Sequence, residues 1–175
     1  MRANSSNGAP AKFRPALVLD IDETSLSNMR QMLANDLRFI PTGPCRIDRG
    51  GPCSERAWEL RAQGKPIQST LAAFNAAKAR GVAVFFITGR NDERDIRAAT
   101  VRNLHRAGYR GWTALIMRAP GERPLSAKDF KTRHRARIAA RGYTIIASVG
   151  DQWSDLDGGY VERKFKLPNP FYFIP

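Results

Sequence analysis

The chain has 175 residues, of which 42% are hydrophobic and 26% are charged; this composition is typical of one globular domain and excludes a disordered, collagen-like or coiled-coil chain. The longest apolar runs, such as residues 82–87, are far shorter than the ~20 residues that span a bilayer, so a transmembrane helix is excluded as well. The 29 lysines and arginines outnumber the 16 aspartates and glutamates, giving a net charge of +13 that favours an anionic partner: nucleic acid, a membrane surface or a phosphorylated small molecule.

The beginning of the chain is polar, and we predict that residues 1–14 form a mobile tail. Met1–Lys12 contains no apolar stretch of the kind found in a signal peptide. An exported protein whose leader has been removed would have the same sequence, so the tail alone decides nothing about location.

Short apolar runs alternate with helical patterns along the rest of the chain. We predict strands at residues 16–20, 82–87, 113–117, 144–149 and 164–167, and helices at residues 70–80, 92–107 and 126–141. Strands that alternate with helices of this length form βαβ units with a parallel sheet. The predicted fold class is therefore α/β: a Rossmann-like, three-layer structure with helices on both faces of the sheet.

Residues 26–68 interrupt this alternation, because they are only weakly periodic and hold several prolines and glycines and both cysteines. We interpret them as a small cap-like insert after the first strand, within a single domain that covers residues 15–175. Within the insert, Phe39 and Trp58 are expected to form a small core, although a wall above a bound substrate is an alternative.

Polar side chains follow three of the predicted strands at the points where the strands end. The carboxyl ends of parallel strands meet at one edge of the sheet, which is where α/β proteins bind ligands. Asp20 and Asp22 follow the first strand, Thr88, Gly89 and Arg90 follow the second, and Asp151 and Asp155 follow the fourth. Carboxylates crowded at one edge repel each other unless a cation lies among them, and an all-oxygen set suits Mg²⁺.

Together with a lysine that precedes the fourth strand, these residues resemble the four motifs of the haloacid dehalogenase-like phosphatases. The motifs are D-x-D-x-T at residues 20–24, the strand-end threonine Thr88, the lysine, and G-D-x-x-x-D at residues 150–155. The similarity extends to the acid phosphatase branch, which includes plant vegetative-storage-type proteins and bacterial class B and class C enzymes. It is carried by the segments LDIDETSLSN at residues 19–28, FITGR at 86–90, VGDQWSD at 149–155 and FKLPNP at 165–170. The matching region runs from about Pro15 to the end of the chain.

The resemblance implies a Mg²⁺-dependent acid phosphatase that hydrolyses phosphomonoesters. Asp20 would be the nucleophile that forms an aspartyl-phosphate, and Asp22 would be the general acid and then the general base. Mg²⁺ would be held by Asp20, the backbone carbonyl of Asp22, Asp151 and Asp155. Thr88, Gly89, backbone N–H groups after Asp20 and a lysine would bind the phosphoryl oxygens.

Two lysines in the helix at residues 126–141 compete for the phosphate-binding role. On a helical wheel the apolar side that should face the sheet lies closer to Lys131 than to Lys128. The family's aromatic-Lys-Ser/Thr pattern, present here as Phe130-Lys131-Thr132, favours the same residue. We therefore prefer Lys131 and keep Lys128 as the alternative.

Arg90 and the two cysteines each have two interpretations. Arg90 would either contact the phosphate or be a solvated arginine at the end of a strand.

Cys45 and Cys53 lack further zinc ligands at finger spacing, so a disulfide is preferred and two free thiols are the alternative. A disulfide would indicate an oxidising compartment, and relatives in this branch are commonly exported. A periplasmic or secreted location is thus preferred over a cytoplasmic one.

Two other function classes compete with the enzyme. Residues 97–141 carry twelve lysines and arginines against Glu122 and Asp129, which would suit a nucleic-acid-binding protein, but no RNA-binding motif accompanies them. A non-catalytic storage protein is known in the plant branch, although there the nucleophile is typically altered. The expected partner is a small phosphomonoester, nucleoside monophosphates included, with no specific nucleic acid; the oligomeric state, natural substrate and pH optimum are not predicted.

Overall fold

A computed structural model of the chain describes residues 13–174. The predicted mobile tail, residues 1–14, lies outside the described residues except for Phe13 and Arg14.

Seven strands and five α-helices form the described structure. The strands are β1 (Pro15–Leu19), β2 (Leu26–Ser27), β3 (Lys65–Pro66), β4 (Ala83–Asn91), β5 (Ala114–Arg118), β6 (Thr144–Gly150) and β7 (Arg163–Lys166). The helices are α1 (Met29–Ala34), α2 (Glu55–Arg61), α3 (Gln68–Ala79), α4 (Arg94–Arg106) and α5 (Ala127–Ala140).

Five of the strands form one parallel sheet in the order β5-β4-β1-β6-β7. All five are predicted from the sequence with boundaries that differ by a few residues. The largest difference is in β4, which continues to Asn91 because Asn91 still pairs with Arg118 of β5 after an irregularity in the register. The predicted α/β fold class with a parallel sheet is confirmed.

Apolar residues are buried on both faces of the central strands, as expected for a parallel sheet covered by helices. On one face, Leu17 and Leu19 of β1 pack in a cluster with Phe74 of α3 and Leu104 of α4. On the other face, Val18 belongs to a second cluster that contains Phe130 and Ile138 of α5. The alternation along β1 therefore divides the core into two layers, and the sheet is the middle layer of three.

The predicted insert, residues 26–68, leaves and rejoins the sheet domain through the short antiparallel pair of β2 and β3. Between them lie α1, α2 and a 3₁₀ turn at Ile47–Arg49. The predicted disulfide between Cys45 and Cys53 is confirmed. No helix within residues 13–174 has the length and apolar character needed to cross a membrane.

Candidate active site

Two strand ends bring carboxylates to one edge of the sheet. Asp20 directly follows β1, its backbone N–H donates to the carbonyl of Val149 in β6 at 3.1 Å, and the residue is only 6% exposed. Asp151 follows β6 and is also buried. The pairing of β1 with β6 thus places the two carboxylates side by side.

A tight turn after Asp20 returns the next residues over the sheet edge. The carbonyl of Ile21 accepts hydrogen bonds from the backbone N–H groups of Ser25 and Leu26, both at 2.8 Å. Glu23 adopts the left-handed backbone conformation, with φ of 53°, which non-glycine residues rarely adopt outside turns and functional sites. The turn leaves the half-buried side chain of Asp22 next to that of Asp20 in the same cavity.

The segment after β6 folds back so that Asp155 faces Asp151. A 3₁₀ turn at Trp153–Asp155 reverses the chain, and the carboxylate of Asp155 accepts the backbone N–H of Gln152 at 2.9 Å. A Cβ atom at Gly150 would lie 2.3 Å from the Cβ of Asp155, which is shorter than any van der Waals contact distance. Glycine at position 150 is therefore required for Asp155 to occupy this place.

Three buried carboxylates form a cluster with the chemistry of a metal site. Oxygen atoms of Asp20, Asp151 and Asp155 all lie within 4.8 Å of one another. Burial raises the pKa of the Asp20 carboxyl well above its ordinary value, and the nearby Lys131 ammonium only partly offsets this rise. Because one ammonium faces three carboxylates, the cluster fits a divalent cation with oxygen ligands.

Lys131 is the lysine that the fold brings to the cluster. Its ammonium donates to Oδ1 of Asp20 at 2.6 Å and also to Oδ1 of Asp155, and the residue is 6% exposed. Lys128, one turn earlier on α5, is exposed. The structure thus brings the preferred lysine, rather than the alternative, against Asp20.

The carboxylate of Asp22 is held by two neighbours. The guanidinium of Arg90 donates to it through Nη2 at 2.6 Å and Nε at 3.0 Å, and Nδ2 of Asn28 donates at 2.8 Å. Burial acts to raise the pKa of Asp22, but the charge and hydrogen bonds of Arg90 and the hydrogen bond from Asn28 bring it below its ordinary value. Arg90 is buried, so the interpretation of a solvated arginine at this position is wrong.

The end of β4 supplies the remaining predicted substrate-binding residues. Thr88 is fully buried, and its hydroxyl accepts the backbone N–H of Arg90 at 3.2 Å. Gly89 is exposed and lines the cavity, and a Cβ atom there would meet nothing within 4 Å. Gly89 therefore lines the same cavity as Asp20 and Asp22, while the hydroxyl of Thr88 is bonded to the backbone at the end of its own strand.

The cluster lies at the bottom of a cavity of about 790 Å³ between the insert and the C-terminal segment. Glu55 and Glu59 of α2 line one wall, while Phe39, Phe171 and Phe173 contribute aromatic side chains. Phe39 is 76% exposed, so its predicted place in a core of the insert is wrong; it lies on a loop that no apolar element covers. Trp58 is buried beside the disulfide, as predicted.

Three residues that hold the carboxylates in place are not among the predicted site residues. Asn169 donates to Oδ2 of Asp151 at 2.7 Å, and Gln152 donates to the same oxygen at 2.7 Å. Arg135, fully buried on α5, donates to the carbonyl of Asp155 at 2.6 Å. Asn169 and Gln152 belong to the motif segments at residues 165–170 and 149–155, and that position could have identified them. Arg135 belongs to no motif, so nothing in the sequence points to it.

Comparison with known proteins agrees with this geometry. Residues 2–175 match the family model of HAD superfamily, subfamily IIIB (Acid phosphatase). The chain is 32% identical over 162 residues to Acid phosphatase 1 of Solanum lycopersicum and 38% identical over 164 residues to the Stem 28 kDa glycoprotein of Glycine max. These alignments cover 92% of this chain but only 60% and 61% of the relatives, so the chain spans less than two thirds of their length.

Solved structures share the fold. The class C acid phosphatase from Bacillus anthracis superposes with a TM-score of 0.69 at 20% sequence identity, over 94% of this chain and 70% of that one. A chain of the Pnkp1/Rnl/Hen1 RNA repair complex superposes with a TM-score of 0.61 at 16% identity, over 95% of this chain and 47% of that one. At these identities the likeness establishes the fold alone, whereas the family match covers nearly every residue. The chain belongs to subfamily IIIB, the acid phosphatases, of the HAD superfamily.

Proposed function

We propose that this protein is a Mg²⁺-dependent acid phosphatase that hydrolyses phosphomonoesters through an aspartyl-phosphate on Asp20. The observation that carries the proposal is the assembly of Asp20, Asp22, Asp151, Asp155 and Lys131 at one edge of the sheet, in a chain of this family.

In the first step, an oxygen of Asp20 attacks phosphorus, and the bond from phosphorus to the leaving oxygen breaks. Asp22 gives its proton to that oxygen, so that an alcohol leaves instead of an alkoxide. The lowered pKa of Asp22 makes it an anion in the free site. A phosphate placed beside it adds negative charge, which raises the pKa of a carboxyl group and favours uptake of the proton to be transferred.

In the second step, a water molecule attacks the phosphorus of the aspartyl-phosphate, and Asp22 takes a proton from that water. The bond between phosphorus and Asp20 breaks, which regenerates the carboxylate and releases inorganic phosphate. Lys131, Thr88, Gly89 and backbone N–H groups after Asp20 bind the phosphoryl oxygens, whose charge changes during transfer. Arg90 is assigned to this substrate-binding group from its motif, and its contact with Asp22 supports the assignment.

The metal would be held by Asp20, the backbone carbonyl of Asp22, Asp151 and Asp155. The crowding of three buried carboxylates within 4.8 Å supports this assignment. When bound, Mg²⁺ would supply positive charge that offsets the repulsion between the nucleophile and an anionic phosphate. Asn169 and Gln152 would keep Asp151 oriented for this purpose.

The cavity supports a small phosphomonoester as the substrate. Its volume of about 790 Å³ lies within the ordinary range for small-molecule sites, and its aromatic side chains offer apolar surface to a leaving group. We include nucleoside monophosphates among the substrates to be tested.

A storage role is the second candidate, because a relative at 27% identity is named Vegetative storage protein 1 of Arabidopsis thaliana. Catalysis is favoured over storage, since the nucleophile, acid, metal-binding carboxylates and phosphate-binding lysine are all present and adjacent.

An exported location, periplasmic or secreted, is proposed on the basis of the disulfide between Cys45 and Cys53, because disulfides persist in oxidising compartments. A relative named as a glycoprotein agrees with export. Measurement of the free thiols in protein isolated from its native source would test this proposal.

The deciding experiment measures release of phosphate from p-nitrophenyl phosphate and from nucleoside monophosphates, with Mg²⁺ and with EDTA. We expect turnover that depends on Mg²⁺ and that falls by at least about a thousandfold in Asp20→Asn, since the amide cannot act as the nucleophile. Turnover that persists in EDTA or in Asp20→Asn would refute the mechanism, and its absence in the wild type would favour storage.

A further inference from the structure

Two separate sets of contacts connect Asp22 to helix α2 of the insert. The first passes through Arg90, whose Nε donates to Oδ2 of Asp22 at 3.0 Å and also lies 3.6 Å from Oε1 of Glu59. The side chain of Arg90 is only 2% exposed, and that of Glu59 is 11% exposed. The guanidinium is thus enclosed between Asp22 on one side and α2 on the other.

The second set of contacts passes through Asn28. Its Nδ2 donates to Oδ1 of Asp22 at 2.8 Å, while its Oδ1 accepts the indole N–H of Trp58 at 2.8 Å. Trp58 is 3% exposed, so this hydrogen bond is shielded from water. Trp58 and Glu59 are neighbours in α2, and each contacts one of the two residues that hold the Asp22 carboxylate.

A group that transfers a proton must lie within hydrogen-bond reach of the oxygen it protonates. The carboxylate of Asp22 accepts hydrogen bonds from Arg90 and Asn28, and helix α2 contacts both donors, Arg90 through Glu59 and Asn28 through Trp58. Supporting residues of this kind set the precision of a catalytic group, because a displacement of about 1 Å is enough to lose activity.

We propose that helix α2 positions Asp22 for proton transfer to the leaving group, with Glu59 and Trp58 as positioning residues that act through Arg90 and Asn28. The inference rests on the proposed function, because it explains how the acid of that reaction is oriented. It gives the insert a role in the chemical step in addition to enclosing the substrate.

The choice of leaving group distinguishes a misplaced Asp22 from a loss of phosphate binding or of folded protein. p-Nitrophenolate is a stable anion and leaves without a proton, whereas an alkoxide needs one. A misplaced Asp22 therefore slows the hydrolysis of an alkyl phosphate far more than that of p-nitrophenyl phosphate. Loss of phosphate binding or of folded protein would slow both reactions equally.

The experiment compares kcat/KM for propyl phosphate and p-nitrophenyl phosphate, with Mg²⁺, on the same preparation of each variant. The ratio of the two values is independent of the fraction of folded enzyme. Glu59→Leu removes the oxygen that faces Arg90, and Trp58→Phe removes the indole donor but keeps an aromatic ring. Arg61→Leu is the matched control, since Arg61 lies on the same helix but pairs with Asp48 and does not line the cavity.

We expect the ratio of alkyl to aryl activity to fall about tenfold in Glu59→Leu and about threefold in Trp58→Phe, and to change less than about twofold in Arg61→Leu. Glu59→Gln keeps an oxygen acceptor at the same reach and should restore the ratio to within about twofold of the wild type.

An unchanged ratio in both Glu59→Leu and Trp58→Phe would overturn the inference while leaving the phosphatase assignment intact. Equal losses on the two substrates, expressed as a higher KM, would also overturn it, because they would assign Arg90 to phosphate binding alone. A wild type without Mg²⁺-dependent turnover of p-nitrophenyl phosphate would refute the proposed function and this inference together.

Discussion

At the scale of single residues, crowding around the carboxylate cluster decides which side chains are tolerated. Gly150 ends β6, and the side chain of Asp155 occupies the space where a Cβ at position 150 would project. Arg135 and the backbone N–H of Gln152 hold Asp155 from the other side. A methyl group at position 150 would therefore overlap the side chain of Asp155.

We expect Gly150→Ala to displace Asp155, weakening Mg²⁺ binding by about tenfold or more and lowering the free energy of unfolding by about 1–3 kcal/mol. Calorimetric titration with Mg²⁺ measures the affinity, and thermal denaturation in EDTA measures the stability. The matched control is Gly121→Ala, where a Cβ atom meets nothing within 4 Å. Wild-type Mg²⁺ affinity in Gly150→Ala would contradict the assignment of Asp155 to the metal site.

At the scale of elements, helix α2 depends on the loop that precedes it. Ser54 caps the helix by accepting the backbone N–H of Ala57 at 3.3 Å, and its hydroxyl donates to the carbonyl of Gly43 at 2.6 Å. The adjacent disulfide closes the loop between Cys45 and Cys53. The start of α2 is thereby fixed by covalent and hydrogen bonds rather than by an extensive core.

Removal of the disulfide should destabilise the protein. For a loop that joins residues eight apart in sequence, we expect the double variant Cys45→Ser, Cys53→Ser to lose about 2–3 kcal/mol of unfolding free energy. Urea denaturation measures the loss, and a reducing agent should reproduce it in the wild type but not in the variant. A difference below about 0.5 kcal/mol would mean that the loop is held by its other contacts.

The acidic wall formed by α2 makes stability depend on pH. Burial raises the pKa of Glu55 from 4.5 to about 7 and that of Glu59 from 4.5 to about 8, with the negative charge of Asp22 adding to both. The folded chain therefore binds these protons more tightly than the unfolded chain. Their contribution to stability is complete below the ordinary pKa of 4.5 and is lost as the pH rises through 7 to 8.

We expect the melting temperature of the metal-free protein to fall between pH 5 and pH 8 by several degrees more in the wild type than in Glu59→Gln, which carries no titrating group there. Thermal denaturation in EDTA at both pH values measures the difference. Glu162→Gln, an exposed position, is the control and should retain the wild-type slope. An identical slope in Glu59→Gln would show that Glu59 titrates normally.

At the scale of the whole molecule, the net charge of +13 is not concentrated at the active site. Exposed arginines of α4, such as Arg102 and Arg106, lie on one face of the sheet, while Arg133 and Arg137 of α5 lie on the opposite face. The site itself is rich in carboxylates. Within residues 13–174 the exposed arginines are thus carried on both faces of the sheet and are not gathered around the carboxylates.

This distribution predicts weak, non-specific binding of nucleic acids. We expect a short duplex DNA to bind at low salt and to lose measurable binding by about 0.2 M NaCl, with no preference among sequences. Fluorescence anisotropy at increasing salt concentration measures this binding. Micromolar affinity that survives about 0.2 M salt would instead support the nucleic-acid-binding alternative.

The sequence by itself determined the fold class and those residues of the site that belong to sequence motifs. Alternating apolar runs and helical patterns are local properties, so the five strands of the parallel sheet could be read directly. Asp20, Asp22, Thr88, Asp151 and Asp155 follow strands, and the geometry of a parallel sheet brings strand ends together whatever the details of packing. The helical wheel separated Lys131 from Lys128 for the same reason, since the side of α5 that faces the sheet is set by its apolar residues.

Only the tertiary structure decided what surrounds these residues. The contact of Asp22 with Asn28 is local, but those of Asp22 with Arg90, of Arg90 with Glu59 and of Asn28 with Trp58 join segments that are far apart in the chain. These segments have no shared periodicity. The insert is held by a disulfide, a short strand pair and single hydrogen bonds. Such contacts leave no repeating pattern in a sequence, because each depends on where another segment has already packed.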